Sequence, residues 1–477
     1  VTTVRTSAGT VRGVESATVD GVSAFLGIPY AANGSGDDRF AGPVPFPAWP
    51  GERDATGYGP TPPQPHRGDL FASLDLTPFF GPGWVPGSPS LTVNVWTPGA
   101  EERLPVLVFV HGGAFVAGSS AASLYDGATF ARDGVVCVTL NYRLGAPGWL
   151  HLPDAPENRG LLDVLAALTW VRSEIAGFGG DPGRVTLAGQ SAGAMLVAAA
   201  LADERFAGLF RSAVVASGSG LGGLLPAQAG LVTGQLAAFY GIEPTVEAFG
   251  ELQDDDLLDG LAALAGLDLR LPGVRHPLGG LAPFAPVLGE QPATTIAAGG
   301  GLDVPLLIGT CMREGNLYTA PTGVPTTEAE ALAAAALASP GGADGTGLLA
   351  AHRSAAPDAD WDDLRSTIIT DAAFRDGSRA LADASAAAGR ATYEYEFAWP
   401  STAVGGRLGA AHGVDLPFWF DRADADDLRG PTGLLGPDGG PAALAAEMHG
   451  TWLSFVRDGR PGWDATSQGR PVVRRFG

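Results

Sequence analysis

The stretch RVTLAGQSAGAMLVAAALA, residues 184–202, constrains the chain more than any other. A β-branched apolar run passes within a few residues into an Ala-rich apolar run, and Gly-Gln-Ser-Ala-Gly between them leaves room only for a tight strand-to-helix turn. Neither flank alternates apolar with polar, so strand and helix are both expected to be buried on all sides, as in a parallel sheet covered on two faces. Similar runs recur as VNVW (93–96), VLVFV (106–110), VVCVTLNY (135–142), SAVVAS (212–217), VPLLIGT (304–310) and ATYEYEFAW (391–399). Helical patterns fall near 160–176, 192–203, 328–338 and 361–388, so the order argues α/β architecture: a large, mostly parallel sheet flanked by helices.

Around this body the pattern changes. Short strands with turns at Ala8-Gly9 and Asp20-Gly21 open the chain, and residues 33–90 are so dense in Gly and Pro that loop is expected. Residues 221–280 become rich in Leu, Ala and Gly and read as helices lying over the sheet. No linker or repeat divides the chain, so residues 1–477 are expected to form one domain carrying this helical insertion.

Composition removes several chemistries. No lysine occurs and all 29 basic residues are arginines, which excludes a Schiff-base lysine, a pyridoxal site and a P-loop lysine. Against them stand 51 acidic residues, and the resulting net charge of −22 disfavours nucleic acid and anionic membrane as partners. The opening VTTVRTSAGTVRG lacks the basic, apolar and small-residue succession of a secretory leader, and no run of apolar residues is long enough to span a bilayer. A cytoplasmic monomer with a small-molecule partner is expected. Cys137 and Cys311 each sit inside an apolar run and read as buried thiols.

Ser191 stands at the turn. Glycines two positions to either side let other backbone approach, and the following helix N-terminus favours negative charge. A serine in this context is a nucleophile in want of a base. Seven histidines are available: His66, His111, His151, His276, His352, His412 and His449. The order serine, acid, histidine that goes with this turn leaves the last four. His449 lies in an apparent helix, His352 in a polar Ala-rich stretch and His276 between Arg275 and Pro277. His412 lies in the small-residue loop GAAHGVDLPFWF, a setting that suits a general base. HGGAF, His111 to Phe115, directly follows a buried strand, and its paired glycines free backbone N–H groups to face a developing oxyanion.

Two other chemistries have partial matches in the chain. Gly218, Gly220 and Gly223 match a dinucleotide-binding spacing with Glu243 about 20 residues on, but Pro226 and further glycine stand where a helix should open on the third glycine. Asp254 to Asp256 lack the spaced ligands of a calcium loop and read as a solvated helix start. No cofactor and no metal is expected.

Ten ordered motifs, among them LGIPYA (26–31), NVWTP (94–98), HGGAF (111–115), NYRLGAPGWL (141–150), FGGDPGRVTLAGQSAGA (178–194), GTCMREG (309–315) and HGVDLPF (412–418), resemble the type B carboxylesterases, the cholinesterase-like group of the α/β-hydrolases. The resemblance implies Ser191 as nucleophile, Glu314 as triad acid and His412 as base, with Gly112, Gly113 and Ala192 donating to the oxyanion. It also implies that Asp415, the rival acid, is structural, and that Arg143 and Asp163 form a structural ion pair. The chain departs from the family at Gln190, where a glutamate usually precedes the serine, and in lacking the N-terminal cysteine bridge of the animal members.

The activity so implied is hydrolysis of small to medium neutral esters through an acyl-enzyme. Carbamate or activated-amide hydrolysis by the same triad is the alternative, and a non-catalytic binding module the remote one. The preference for neutral or cationic substrates follows from the net charge; an arginine such as Arg275 or Arg313 lining the site would reverse it locally.

Overall fold

The computed structural model describes residues 2–32, 36–68, 70–99, 103–467 and 470–477. Its centre is a ten-stranded sheet built from β1 (Val14–Glu15), β2 (Ser23–Pro29), β3 (Thr92–Thr97), β4 (Leu104–Val110), β5 (Val136–Leu140), β6 (Gly180–Gln190), β7 (Ser212–Ala216), β8 (Leu306–Cys311), β9 (Thr392–Phe397) and β10 (Val473–Phe476). The spatial order is β1-β2-β3-β5-β4-β6-β7-β8-β9-β10. The first three strands pair antiparallel and β3 meets β5 antiparallel; from β5 through β10 every neighbour is parallel. This is the α/β-hydrolase arrangement.

The uninterrupted apolar runs follow from burial on both faces. Val106, Val108 and Val110 of β4 enter one core, together with α1 (Arg159–Glu174) and α2 (Ala192–Leu201). Leu107 and Phe109, pointing the other way, enter a second core with Trp419, Trp452 and Phe455. At about 1.5–3 kcal/mol for each fully buried large side chain, a strand hydrophobic on both faces is anchored from two sides. Residues 226–240 form α3, a helix of the segment expected to lie over the sheet. Farther on, α4 (Glu328–Ala338), α5 (Thr346–Ala355) and α6 (Trp361–Ile369) close a small third core around Ala335, Leu349 and Leu364.

The segment 33–90 is mostly loop, as expected, and carries strands Val44–Pro45 and Glu52–Asp54 and a helical turn Thr77–Phe80; residues 33–35 and 69 lie outside the described residues. The helix expected over 361–388 is α6, then a π-helical turn at Thr370–Arg375, then α7 (Asp376–Ala387). The strand β10 was not anticipated; Val473, Arg474 and Arg475 are all exposed, so its pattern gives no apolar signal. Among the described residues no helix is long and apolar enough to cross a membrane.

Candidate active site

The parallel order brings the sequence motifs together. β4 and β6 are neighbours, so the HGGAF loop leaving β4 and the serine turn leaving β6 emerge side by side at the carboxyl end of the sheet.

Ser191 adopts φ 57° and ψ −124°, a conformation that residues with a side chain rarely hold. It is sustained by close backbone packing. A Cβ at Gly189 would collide with the carbonyl of Gly193 and lie 2.7 Å from Ala194 N; one at Gly193 would fall on the Val110 carbonyl oxygen and lie 2.6 Å from His111 O. The Ser191 N–H donates to Ala216 O at 3.0 Å, tying the turn to β7. Ser191 occupies the N-cap position of α2 without capping it through its side chain, so the hydroxyl is not spent on the helix. It is 8% exposed.

Across from it, a Cβ on Gly112 would come within 2.9 Å of Ser191 Cβ, so this glycine permits the two loops to touch. Gly113 has φ +117°, and Ala114 and Phe115 follow with positive φ. Among the described residues no protein acceptor takes the N–H of Gly112 or Gly113. Ala192 is the first residue of α2, whose N–H has no partner within the helix.

Glu314 follows β8 and is fully buried. Its Oε1 accepts from Cys311 N at 2.6 Å and its Oε2 lies 2.6 Å from His412 Nδ1. The imidazole is fixed further by Phe374, whose ring centroid is 4.5 Å away, and by Tyr318 at 6.0 Å. Phe374 sits in the π-helical turn, which shifts that helix's hydrogen bonding next to the histidine. On its other nitrogen, Nε2, His412 meets Gln190 Nε2 at 3.2 Å. No hydrogen bond joins Ser191 to His412 in this structure. Among the described residues the buried Gln190 Oε1 has no partner.

The other histidines are placed elsewhere. His449 is held between Trp419 O at 2.6 Å and Asp133 Oδ2 at 3.0 Å. His151 pairs with Glu157 near the surface, and His352 lies 4.0 Å from Asp371. His111 stacks on Tyr142 and is pulled down to about 4 by burial, as is His276. His66 is exposed. Asp415 is fully buried behind Glu314, where burial first and the charge of Glu314 second push its carboxyl up to about 7.

The remaining candidates resolve as structure. Arg143 and Asp163 form a buried pair at 2.7 Å, with Arg143 also donating to Arg39 O and Ala41 O. Gly218, Gly220 and Gly223 serve packing and hydrogen bonding: a Cβ on Gly218 would press on Ala194, Gly220 N donates to Gly377 O, and Gly223 N to Gln291. The next helix starts only at Pro226, so the geometry of a dinucleotide turn is not formed. Asp254 to Asp256 are the first turn of a short helix. Cys137 and Cys311 are buried free thiols. Among the described residues no group of three or more His, Cys, Asp or Glu side chains is arranged to hold a metal.

A strained serine at the strand-to-helix turn of a mostly parallel sheet, with a carboxylate–imidazole pair beside it, defines an α/β-hydrolase. Within that class, the model of the carboxylesterase family matches residues 1–339, and the chain belongs to this family. It is 40% identical to the para-nitrobenzyl esterase of Bacillus subtilis over 332 residues, which is 67% of this chain and 64% of that protein's length. It is 31% identical to the phenmedipham hydrolase of Pseudarthrobacter oxydans over 93% of this chain and 88% of that one. A solved PNB esterase structure superposes with a TM-score of 0.82 at 30% identity, covering 100% of this chain and 95% of that one.

Proposed function

We propose that the chain hydrolyses carboxylic esters of small to medium size, with Ser191 as nucleophile, His412 as general base and Glu314 orienting it. The observation that carries this reading is the 2.6 Å contact of Glu314 with His412 Nδ1, which leaves Nε2 as the basic nitrogen on the side of Ser191. His412 takes the Ser191 proton as the hydroxyl oxygen attacks the ester carbonyl. The N–H groups of Gly112, Gly113 and Ala192 receive the oxyanion, His412 returns the proton to the departing alcohol, and water repeats the cycle on the acyl-enzyme. The match to a phenmedipham hydrolase over 93% of the chain supports a second reading beside the first, hydrolysis of carbamates or activated amides by the same residues.

The test is a series of p-nitrophenyl esters of rising acyl length, run beside an aryl carbamate. Turnover of the short and medium esters is expected, together with covalent labelling of Ser191 by a fluorophosphonate. Ser191→Ala should lower kcat by about 10⁶ and leave Tm unchanged. A residual rate within tenfold of wild type, or labelling at another residue, overturns the assignment.

A further inference from the structure

Local charge beside the HGGAF loop runs against the charge of the whole molecule. A cavity of about 200 Å³ opens beside the HGGAF loop, lined by Ala114, Val116, Leu264, Leu267 and Leu281 among others. Among the described residues no Asp or Glu lines it, and its two polar side chains are Arg67 and His276. His276 is almost completely buried, its Nδ1 accepting from Leu278 N at 3.2 Å, and burial keeps it neutral at physiological pH.

That leaves Arg67 as the charge of the cavity. The side chain is half-buried, and among the described residues no carboxylate, carbonyl or hydroxyl accepts a hydrogen bond from its guanidinium. This is unusual for a partly desolvated guanidinium with five donors. The two arginines that could have supplied an anion clamp are already taken: Arg313 by Asp363 at 2.9 Å and Arg275 by Asp376 at 3.8 Å. Arg67 is also tied to the chemistry by position. It interacts electrostatically with Tyr318, whose ring flanks His412 at 6.0 Å. The loop that carries it is pinned to the same region by Ser73 Oγ, which donates to Pro321 O at 2.9 Å.

We infer that Arg67 is a specificity-determining residue that binds a carboxylate carried by the ester substrate, with the aliphatic chain between carboxylate and scissile carbonyl lying against Leu264, Leu267 and Leu281. The substrate class is therefore a half-ester of a short dicarboxylic acid, or an ester of comparable shape with one anionic end. This inference rests on the esterase reading above and replaces the neutral-ester preference drawn from net charge. The −22 field is screened beyond about 8 Å at physiological salt, whereas a guanidinium meeting the carboxylate directly is not.

The experiment compares kcat/KM for mono-p-nitrophenyl glutarate with that for p-nitrophenyl butyrate, in wild type, Arg67→Met, Arg67→Lys and Arg172→Gln. The last removes an equal charge from an exposed position on α1. The carboxylated-to-neutral ratio should fall ten- to hundredfold in Arg67→Met, recover in part in Arg67→Lys and stay within twofold in Arg172→Gln. Raising NaCl should lower the ratio in wild type and not in Arg67→Met. A ratio that Arg67→Met leaves unchanged, or that Arg172→Gln lowers equally, overturns the inference while butyrate turnover upholds the esterase reading. Calorimetry of monomethyl glutarate binding to Ser191→Ala protein, with and without Arg67→Met, separates the two failures. Arg67-dependent binding, combined with wild-type protein that hydrolyses neither ester, would overturn the esterase reading alone. Binding that is indifferent to Arg67 overturns the inference.

Discussion

The two sides of the site are held by different kinds of contact. Around Ser191 the geometry is set by backbone against backbone: Gly189, Gly193, Gly112 and Gly113 are all positions where a Cβ would meet neighbouring main chain or the serine itself. Around His412 it is set by side chains, through the Glu314 carboxylate and the rings of Phe374 and Tyr318. The first side cannot be altered without moving a strand or a helix, and the second can be altered one group at a time. Changes on the nucleophile side should therefore be felt as loss of fold, and changes on the base side as altered rate or pH dependence with the fold retained.

The largest effect is expected at Gly193. An alanine there would drive its methyl into the Val110 carbonyl oxygen and close on His111 O, both backbone atoms at the end of β4. Gly193→Ala should yield protein that fails to fold, or one destabilised by at least ~4 kcal/mol in urea titration. A folded, active variant with a wild-type midpoint would end the distinction between the two sides. Next comes Glu314→Gln. The amide can keep an oxygen for Cys311 N, but it turns an NH₂ towards His412 Nδ1 and so favours the tautomer with the wrong nitrogen protonated. A fall in kcat of about 10⁴ is expected with Tm within a few degrees of wild type. Fold loss here would place Glu314 in the same structural class as Gly193.

The same contrast explains what could be read from the sequence. The nucleophile side was legible because backbone crowding leaves a fixed signature of glycines, Gly112-Gly113 after one buried run and Gly189 and Gly193 around Ser191 after another. The carboxyl side was not, because a chain with 51 acids does not mark the one that faces an imidazole; Glu314 came only from resemblance. Arg67 was missed because the loop around it has no periodicity, and what distinguishes this arginine is the lack of a partner. β10 escaped because an edge strand of exposed Val and Arg residues has no apolar alternation, and the π-helical turn because a slipped hydrogen bond depends on packing against Gly315 and His412. Gln190, marked in the sequence as a departure from the family's usual glutamate, lies with its amide against His412 Nε2.

Gln190 is the one side chain that belongs to both sides, since it lies in the serine turn and touches the imidazole. Gln190→Glu adds a negative charge beside His412, which favours imidazolium. The base then needs a higher pH to be neutral, so the acid limb of the kcat/KM profile should move upward by about one unit. An unmoved or lowered limb would show that the position acts through packing alone.

The smallest effect concerns Asp415, the second buried carboxyl on the base side. Its Oδ2 accepts from the Tyr395 hydroxyl at 3.4 Å, its Oδ1 has no partner, and Cys311, Glu314 and His412 surround it. Burial and the neighbouring Glu314 push it up to about 7, with His412 opposing. In the unfolded chain an aspartate titrates near 3.9, so between about pH 4 and 7 the folded protein keeps a proton that the unfolded chain has released. That group's contribution to stability is complete below about pH 4 and is lost as pH rises towards 7. Asp415→Asn imitates the protonated form at every pH and has no such loss. The variant should match wild type at pH 4 and exceed it by about 2–5 °C in Tm at pH 8, with the gap opening between those limits. An equal difference at both ends, or a variant less stable at pH 8, would mean that folding does not raise the Asp415 carboxyl and that it is already ionised in the folded state just above pH 4. The base side would then hold two adjacent buried charges, with a single imidazole to balance them.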